Sequence, residues 1–331
     1  FIILRSSISL WGNFISPIDK TSKYFMNYLV LTPDGVGSTI LQRLITMCLY
    51  LEGQKVTNTH ELTNGLELKN GIAAKNFDLK YTQSLSEIAG VLRNSKASTS
   101  LVSRLAKYHL DSRKDPTDDC RDFYRFLHEH FDKKIMCVRE NIFEYAMSWS
   151  IRERSGVLNV YEKEDRIKVS QVSEVDENYF MKKCQNYVQY VEWMSQNFPK
   201  VETVSYENIV KHSDTVMEKL TGYRNTFTDK IGLPLSSILS NEYNFLKNPS
   251  GTSLHNNQAK ALIKYRMVLN EMLDKKIVIN APLKNTTLTD KKKQIVNFNS
   301  CLDKFYQFAK NHNWIDQSKA TYDFWNETQI C

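Results

Sequence analysis

The chain has 331 residues, of which 41% are hydrophobic and 24% are charged. These shares are close to those of an average globular protein, and they exclude a disordered chain, a collagen and a coiled coil. Lysines and arginines number 44 against 37 aspartates and glutamates, so the net charge is +7. This mildly basic balance suits an anionic ligand, and we expect no nucleic-acid partner. No apolar run reaches the ~18 residues that span a bilayer.

The cysteines indicate a reducing compartment. The chain has six of them and no Cys-x-x-Cys pair, and Cys48, Cys120, Cys137 and Cys184 fall within apolar patterns. We interpret these as reduced core residues of a cytoplasmic protein rather than as disulfide partners or metal ligands. The stretch 1–11 lacks the basic region and small-residue cleavage site of a signal peptide.

Strand and helix patterns alternate along the chain. Buried strands are predicted at 24–31, 55–59, 134–138 and 201–205. Helices are predicted at 38–51, throughout 84–131, and at 142–154, 175–198, 213–220, 258–275, 292–311 and 318–325. This alternation predicts an α/β fold, in which helices flank a central parallel β-sheet. Ligands in such sheets bind at the carboxyl ends of the strands.

We divide the chain into three parts. Residues 1–23 form an N-terminal extension, and residues 24–221 form the α/β core with a helical insertion at about 84–131. Residues 222–331 form a mostly helical part packed on the core. Two details are interpreted as structural: the run Lys291-Lys292-Lys293 as a solvated face, and Tyr187 as a core residue.

The most informative segment follows the first predicted strand. Gly35 and Gly37 allow the main chain to approach a ligand closely. Ser38 and Thr39 open a helix, whose free N–H groups and positive dipole end bind anions. The segment therefore predicts a phosphate or sulfate cradle made of Pro33, Asp34, Gly35, Val36, Gly37, Ser38 and Thr39. The other interpretation is a glycine-rich turn that binds nothing. The lysine of the Walker A pattern is absent, which disfavours ATP or GTP hydrolysis.

A second signal lies about 100 residues further along. The third predicted strand ends at Arg139, and the following helix carries Ala146, Ser148 and Trp149. An arginine matches phosphate oxygens with two parallel hydrogen bonds, and a nearby hydroxyl donates to the same group. The alternative is an amphipathic helix preceded by a surface arginine. A third, weaker signal is the strand 201–205 followed by Tyr206 and Glu207.

Together these segments resemble the sulfotransferase family, in particular its bacterial and phage types. Members of that family have a P-loop-like fold and use 3′-phosphoadenosine 5′-phosphosulfate (PAPS) as the sulfate donor. The resemblance covers roughly residues 25–60 and 134–212. The sequence departs from the family's pattern in three ways: the loop is one residue longer, Asp34 replaces a basic residue, and the C-terminal Arg-Lys-Gly segment has no match.

The resemblance implies a role for each segment. The loop 33–39 would bind the 5′-phosphosulfate, Arg139 and Ser148 would bind the 3′-phosphate, and Tyr206 would belong to the nucleotide site. A general base must take the proton of the acceptor hydroxyl. His60 and Glu61 are the candidates, because some bacterial sulfotransferases carry a catalytic glutamate at the corresponding place. The alternative is that both are ordinary loop residues.

The cation missing from the loop is assigned to Arg43, one turn into the helix. An ordinary surface arginine is the alternative.

We therefore expect an enzyme that transfers a sulfuryl group from PAPS to a hydroxyl acceptor, without a metal. The acceptor stays open among carbohydrate, lipid-linked glycan, protein tyrosine and small alcohol, and homo-oligomerisation stays open as well. The alternative hypothesis is a non-catalytic descendant of the same fold that acts as a binding or assembly protein. The acidic Asp34 and the missing C-terminal segment favour that alternative.

Overall fold

The computed structural model describes most of the chain. The described residues are 25–33, 35–80, 82–96, 98–107, 110, 120–157, 163–240, 256–272 and 288–311. The predicted extension 1–23, Asp34 and the predicted helix 318–325 lie outside them.

A five-stranded parallel sheet organises the fold. In chain order the strands are β1 (Tyr28–Thr32), β2 (Val56–Glu61), β3 (Leu66–Lys69), β4 (Ile72–Lys75), β5 (Ser100–Ala106), β6 (Lys133–Val138) and β7 (Glu202–Ser205). The sheet order is β2-β5-β1-β6-β7, and each neighbouring pair is parallel. The predicted α/β fold with a central parallel sheet is confirmed, and this architecture is consistent with a P-loop-like fold.

Helices flank the sheet, and α1 packs against β1, β2 and β5. The helices are α1 (Ser38–Leu51), α2 (Leu85–Arg93), α3 (Cys120–His130), α4 (Ile142–Ser155), α5 (Lys163–Ser170), α6 (Glu177–Asn197), α7 (Tyr206–Lys211), α8 (Ser213–Thr221), α9 (Thr226–Ile231), α10 (Asn256–Met272), α11 (Leu288–Gln294) and α12 (Phe298–Asn311). Short 3-10 turns cover Leu62–Asn64 and Phe77–Leu79. Within the described ranges, no helix combines the length and apolar character needed to cross a membrane.

The helix predicted across residues 100–106 is wrong, because this segment is strand β5, between β2 and β1. Leu101 and Leu105 are four residues apart, as on one face of a helix. In the strand, however, every residue except Arg104 is buried. A strand covered on both faces shows no alternation of polar and apolar residues, so its pattern resembles that of a buried helix.

The hairpin of β3 and β4 is a second element that the sequence analysis missed. The two strands pair antiparallel around Asn70 and Gly71, whose φ angles are 55° and 78°. Asn-Gly with positive φ at both residues is the preferred pair for a tight hairpin turn. The hairpin closes at its base, where the Asn76 N–H donates to the Gly65 carbonyl over 3.1 Å.

The described residues form two compact units. The sheet unit comprises those between 24 and 140 and between 186 and 284, and the helical unit comprises those between 141 and 185 and from 288 to 311. The division therefore does not follow the predicted boundary between residues 221 and 222.

The helical unit has an aromatic core centred on Phe143. Its ring contacts those of Phe180, Phe298 and Phe305, with centroids 5.4, 5.2 and 5.6 Å away. Such edge-to-face contacts add to the stabilisation from burial alone. Lys291 belongs to this interior: it is 2% exposed, and its Nζ lies 3.2 Å from Glu144 Oε1. The prediction of a solvated lysine run is wrong for Lys291 and holds for its two neighbours, which are exposed.

Burial predicts which helical isoleucine stabilises the sheet unit. Ile88 in α2 is 0% exposed, whereas Ile263 in α10 is 59% exposed. We expect Ile88→Ala to lower the free energy of unfolding by about 2–5 kcal/mol, and Ile263→Ala to change it by less than about 0.5 kcal/mol. Both substitutions replace the same residue within a helix, so the difference reports burial. Urea denaturation of the two variants measures it, and equal losses would contradict the packing.

Candidate functional site

The site lies where the order of the strands reverses. From β1 the chain continues to β2 at one edge of the sheet, and from β6 it continues to β7 at the other edge, while β1 and β6 are neighbours. In open parallel sheets ligands bind outside the carboxyl ends of the strands at such a reversal. The segment after β1 and Arg139 after β6 flank this position.

The segment after β1 leads through a left-handed glycine into the first turn of α1. Gly37, with φ 82°, is the N-cap of α1, and its carbonyl accepts from the N–H groups of Ile40 and Leu41. The first N–H groups of a helix have no partner within the helix. Val36 is buried, and its carbonyl accepts a hydrogen bond from Cys137 Sγ over 3.5 Å. Pro33 and Ser38 are also buried, whereas the other described loop residues, Gly35, Gly37 and Thr39, are half-buried.

The guanidinium beside this loop belongs to Arg104, which the sequence analysis missed. Arg104 Nη1 donates to Thr39 Oγ1 in the first turn of α1, and Nε donates to Glu61 Oε2 over 2.9 Å. Its side chain remains 21% exposed. The helix predicted over 100–106 gave no reason to place Arg104 in the site. Arg104 lies beside the loop because the segment is a strand that ends at Ala106. One feature of the sequence could have indicated its role: Arg104 is the single charged residue in the otherwise uncharged segment 100–106.

Glu61 fixes the end of β5. The residue is 0% exposed, and its second oxygen, Oε1, accepts from the Ala106 N–H over 2.9 Å. A buried carboxylate is stable only when it is paired and hydrogen-bonded. Both oxygens of Glu61 therefore have a structural role. Glu61 and His60, predicted just after the strand, are in fact its last two residues.

His60 lies in a strained position at a bulge. Its φ is 56°, and the pairing of β2 with β5 is irregular between Asn58 and His60. The His60 N–H donates to Asn58 Oδ1, and the His60 carbonyl accepts from Gln42 Nε2. Bulges and positive φ at residues other than glycine are frequent at functional sites.

Burial and positive charge both act on the imidazole of His60. Burial and the charges of Lys75, Arg104 and Arg43 lower the pKa of His60 to about 3, so the ring is neutral at physiological pH. Burial and the charge of Arg104 lower the pKa of Lys75 to about 8. Arg43, predicted to complete the loop, is buried within α1. The sequence analysis also missed Lys75, although the Asn70-Gly71 turn was a usable signal for its hairpin.

The ring of Tyr206 contacts both Gly37 in the loop and Arg139. The Arg139 guanidinium carbon lies 4.5 Å from the centroid of the Tyr206 ring, and a Cβ at Gly37 would lie 2.3 Å from Tyr206 Cδ2. One aromatic ring therefore contacts both predicted phosphate-binding segments. Arg139 Nε also lies 3.2 Å from Oε1 of the buried Glu207. The sequence-based grouping of Tyr206 with Arg139 and the loop thus corresponds to contacts in the structure.

Tyr187 holds the main chain at Arg139. Its hydroxyl accepts from the Arg139 N–H and donates to the Arg139 carbonyl, each over 2.7 Å. Burial raises the pKa of this phenol, so it stays protonated and keeps its donor. The residue is buried as predicted, and it additionally positions Arg139.

Ser148 belongs to the helical unit. Its hydroxyl accepts from Lys291 Nζ over 2.7 Å and donates to the Glu144 carbonyl over 2.8 Å. Its predicted contact with a 3′-phosphate stays a prediction. Asp34, the acidic residue of the loop, lies outside the described residues.

No protein-family model matches the chain, and no curated protein matches it.

The contact between Gly37 and Tyr206 is testable by a double-mutant cycle. We expect Gly37→Ala to lower the free energy of unfolding, because alanine at positive φ costs about 1–2 kcal/mol and its Cβ would displace the Tyr206 ring. In a Tyr206→Ala background the second cost disappears and the loss becomes smaller. Urea denaturation of the four proteins measures this coupling. Equal losses in both backgrounds would contradict the contact.

The lowered pKa of His60 makes the stability of the folded protein depend on pH, and it sets the sign of that dependence. The ordinary pKa of 6.5 applies to the unfolded chain, whereas the folded value is about 3. Between these values the unfolded chain binds one proton more, so stability contributed by neutral His60 is present above pH 6.5 and is lost as the pH falls toward 3.

The matched variant is His60→Asn, because asparagine tolerates a positive φ and does not titrate. We expect the wild type to lose more stability than this variant when the pH is lowered from about 7 to about 4.5. Chemical denaturation at the two pH values measures the difference. Parallel losses in both proteins would contradict the low pKa of His60.

Proposed function

We propose that this protein is a sulfotransferase that binds PAPS across the reversal between β1 and β6 and transfers its sulfuryl group to a hydroxyl acceptor. The observation that carries the proposal is the contact of one ring, Tyr206, with both Gly37 and Arg139. A donor with anionic groups at its 3′ and 5′ positions needs two such sites within the length of one nucleotide. We further propose that the protein acts in the cytoplasm, since Cys48, Cys137, Cys184 and Cys301 are buried free thiols.

The 5′-phosphosulfate is assigned to the loop and the start of α1. Main-chain N–H groups between Gly35 and Thr39 would bind its oxygens, as helix N-termini bind anions in general. Arg104, held against Thr39, would supply the positive charge that the family's basic loop residue provides. In this role Arg104 replaces the predicted Arg43, which is buried further along α1.

The 3′-phosphate is assigned to Arg139. Tyr187 fixes the main chain of this residue, and Glu207 and the Tyr206 ring orient its guanidinium. A preorganised arginine loses less conformational entropy when it binds a phosphate.

The transfer step needs a proton acceptor and charge stabilisation. The acceptor oxygen attacks sulfur in line, the bond from sulfur to the bridging phosphate oxygen breaks, and adenosine 3′,5′-bisphosphate leaves with that electron pair. His60 takes the hydroxyl proton, because its ring is neutral and both oxygens of Glu61 are already engaged. Bound donor offsets the charges of Arg43, Lys75 and Arg104, which raises the pKa of His60 toward the value that suits a base.

A non-catalytic binding protein is the second candidate, and the paired arginines favour it. Arg104 is engaged by Glu61 and Arg139 by Glu207, so each carboxylate competes with a phosphate for its guanidinium. In that case the ion pairs would have a structural role. Nucleotide affinity and turnover separate the two candidates.

Binding of adenosine 3′,5′-bisphosphate tests the proposal. We expect the wild type to bind it more tightly than adenosine 5′-phosphate, and Arg139→Gln to abolish this preference, because only the first ligand carries a 3′-phosphate. Arg104→Gln should weaken binding of both ligands by about tenfold or more, since charged hydrogen bonds contribute about 1.5–3 kcal/mol. Isothermal titration calorimetry measures the affinities.

The matched control is Arg224→Gln, which removes an exposed arginine paired with Glu218 and should leave both affinities unchanged. Absence of binding by the folded wild type would refute the donor site. Binding without transfer of labelled sulfate from PAPS to any hydroxyl acceptor would favour the non-catalytic protein.

A further inference from the structure

The main chain of His60 is held at both of its polar groups. Its φ of 56° lies in the left-handed region, which costs a residue with a Cβ about 1–2 kcal/mol. The His60 N–H donates to Asn58 Oδ1 over 2.9 Å, and the His60 carbonyl accepts from Gln42 Nε2 over 3.0 Å. A strained conformation of this kind persists only where the surrounding structure fixes it. Asn58 and Gln42 supply such contacts at His60.

Gln42 spans the irregular place in the sheet. The pairing of β2 with β5 shifts between Asn58 and His60. Gln42 Nε2 donates to the Val102 carbonyl in β5 over 3.0 Å as well as to the His60 carbonyl in β2. The residue is 1% exposed, and the two carbonyls use both hydrogens of its amide nitrogen. One side chain of α1 therefore joins the two strands at the bulge.

The next turn of α1 supports the Asn58 contact. Asn58 Nδ2 donates to Thr46 Oγ1 over 3.1 Å, and Thr46 Oγ1 donates to the Gln42 carbonyl over 2.8 Å. Gln42 and Thr46 are four residues apart and share one face of the helix. Because α1 begins at the loop assigned to the 5′-phosphosulfate, one helix connects the donor loop with the main chain of His60.

We infer that Gln42 and Asn58 are positioning residues of the sulfuryl transfer, which hold His60 in its left-handed conformation and thereby set the direction of its imidazole. This inference rests on the proposed function, because His60 is a base only under it. Both residues act through the main chain of His60. Bulges redirect side chains next to active sites, and a general base must lie within hydrogen-bond reach of the proton it takes. Without the two contacts His60 would relax toward an extended conformation and its ring would turn away.

Release of adenosine 3′,5′-bisphosphate from PAPS tests the inference, with water and glycerol as the hydroxyl acceptors. Gln42→Met keeps the length of the side chain and removes both donors. We expect it to lower the release rate at saturating PAPS by about tenfold to a hundredfold, since small displacements of a catalytic group have effects of that size. The affinity for adenosine 3′,5′-bisphosphate should stay unchanged. Asn58→Asp keeps an acceptor for the His60 N–H and should retain the rate, whereas Asn58→Leu should lower it.

The His60→Asn background separates positioning from a general structural role. This variant lacks the base, so Gln42→Met should not lower its release rate further. The matched control is Gln83→Met in the otherwise unchanged protein. Gln83 is also buried, and its amide donates to a main-chain carbonyl, that of Leu66, over 2.7 Å. Its substitution should leave the release rate unchanged.

The outcomes separate the two proposals. If the wild type does not bind adenosine 3′,5′-bisphosphate, or binds it but releases none from PAPS, the proposed function is overturned and this inference with it. If the wild type releases product and the folded Gln42→Met variant keeps its rate, only the positioning inference is overturned. An equal fall of the rate in both backgrounds overturns it as well. If Gln42→Met does not fold, equal rates for Asn58→Leu and Asn58→Asp overturn the inference.

Discussion

One buried ion pair, Glu61 with Arg104, holds the ends of three elements together. Glu61 at the end of β2 binds both the side chain of Arg104 and the main chain of Ala106, and Arg104 in turn reaches Thr39 at the start of α1. Because a fully buried carboxylate must have partners, loss of Arg104 would leave the charge of Glu61 uncompensated, which costs about 3–5 kcal/mol. The pair thus fixes the geometry of the proposed phosphosulfate site before any ligand binds.

Burial and positive charge together lower the pKa values of two residues near this pair. For both His60 and Lys75 burial is the largest cause, and the charge of Arg104 lowers the pKa further. A cluster of this kind favours anions and keeps the imidazole neutral. Ligand charge and proton affinity are therefore coupled: an anion that enters the cluster makes His60 a stronger base.

The sequence alone predicted those parts of the fold that depend on local pattern. The buried strands β1, β2, β6 and β7 and the turn with Gly35 and Gly37 were identifiable because apolar runs and glycines have local signatures. Strand β5 was not, because burial on both faces removes the alternation that distinguishes a strand from a helix. Because β5 was not predicted, Arg104 was not identified as a site residue. Lys75 was missed for another reason: the Asn70-Gly71 pair is a typical hairpin turn, but the hairpin was not predicted from it.

The Tyr206 ring contacts both ends of the proposed nucleotide site, so the positions of the two ends depend on each other. Its ring packs on Gly37, where only a residue without a Cβ fits, and it supports the Arg139 guanidinium. A shift of the ring would therefore move the arginine and open the loop together. Glu207, the next residue, pairs with Arg139 and accepts from the Glu140 N–H over 3.0 Å, which ties the start of α7 to the end of β6. The spacing of the two proposed anion sites consequently depends on how β7 leads into α7, far in sequence from both the loop and the arginine.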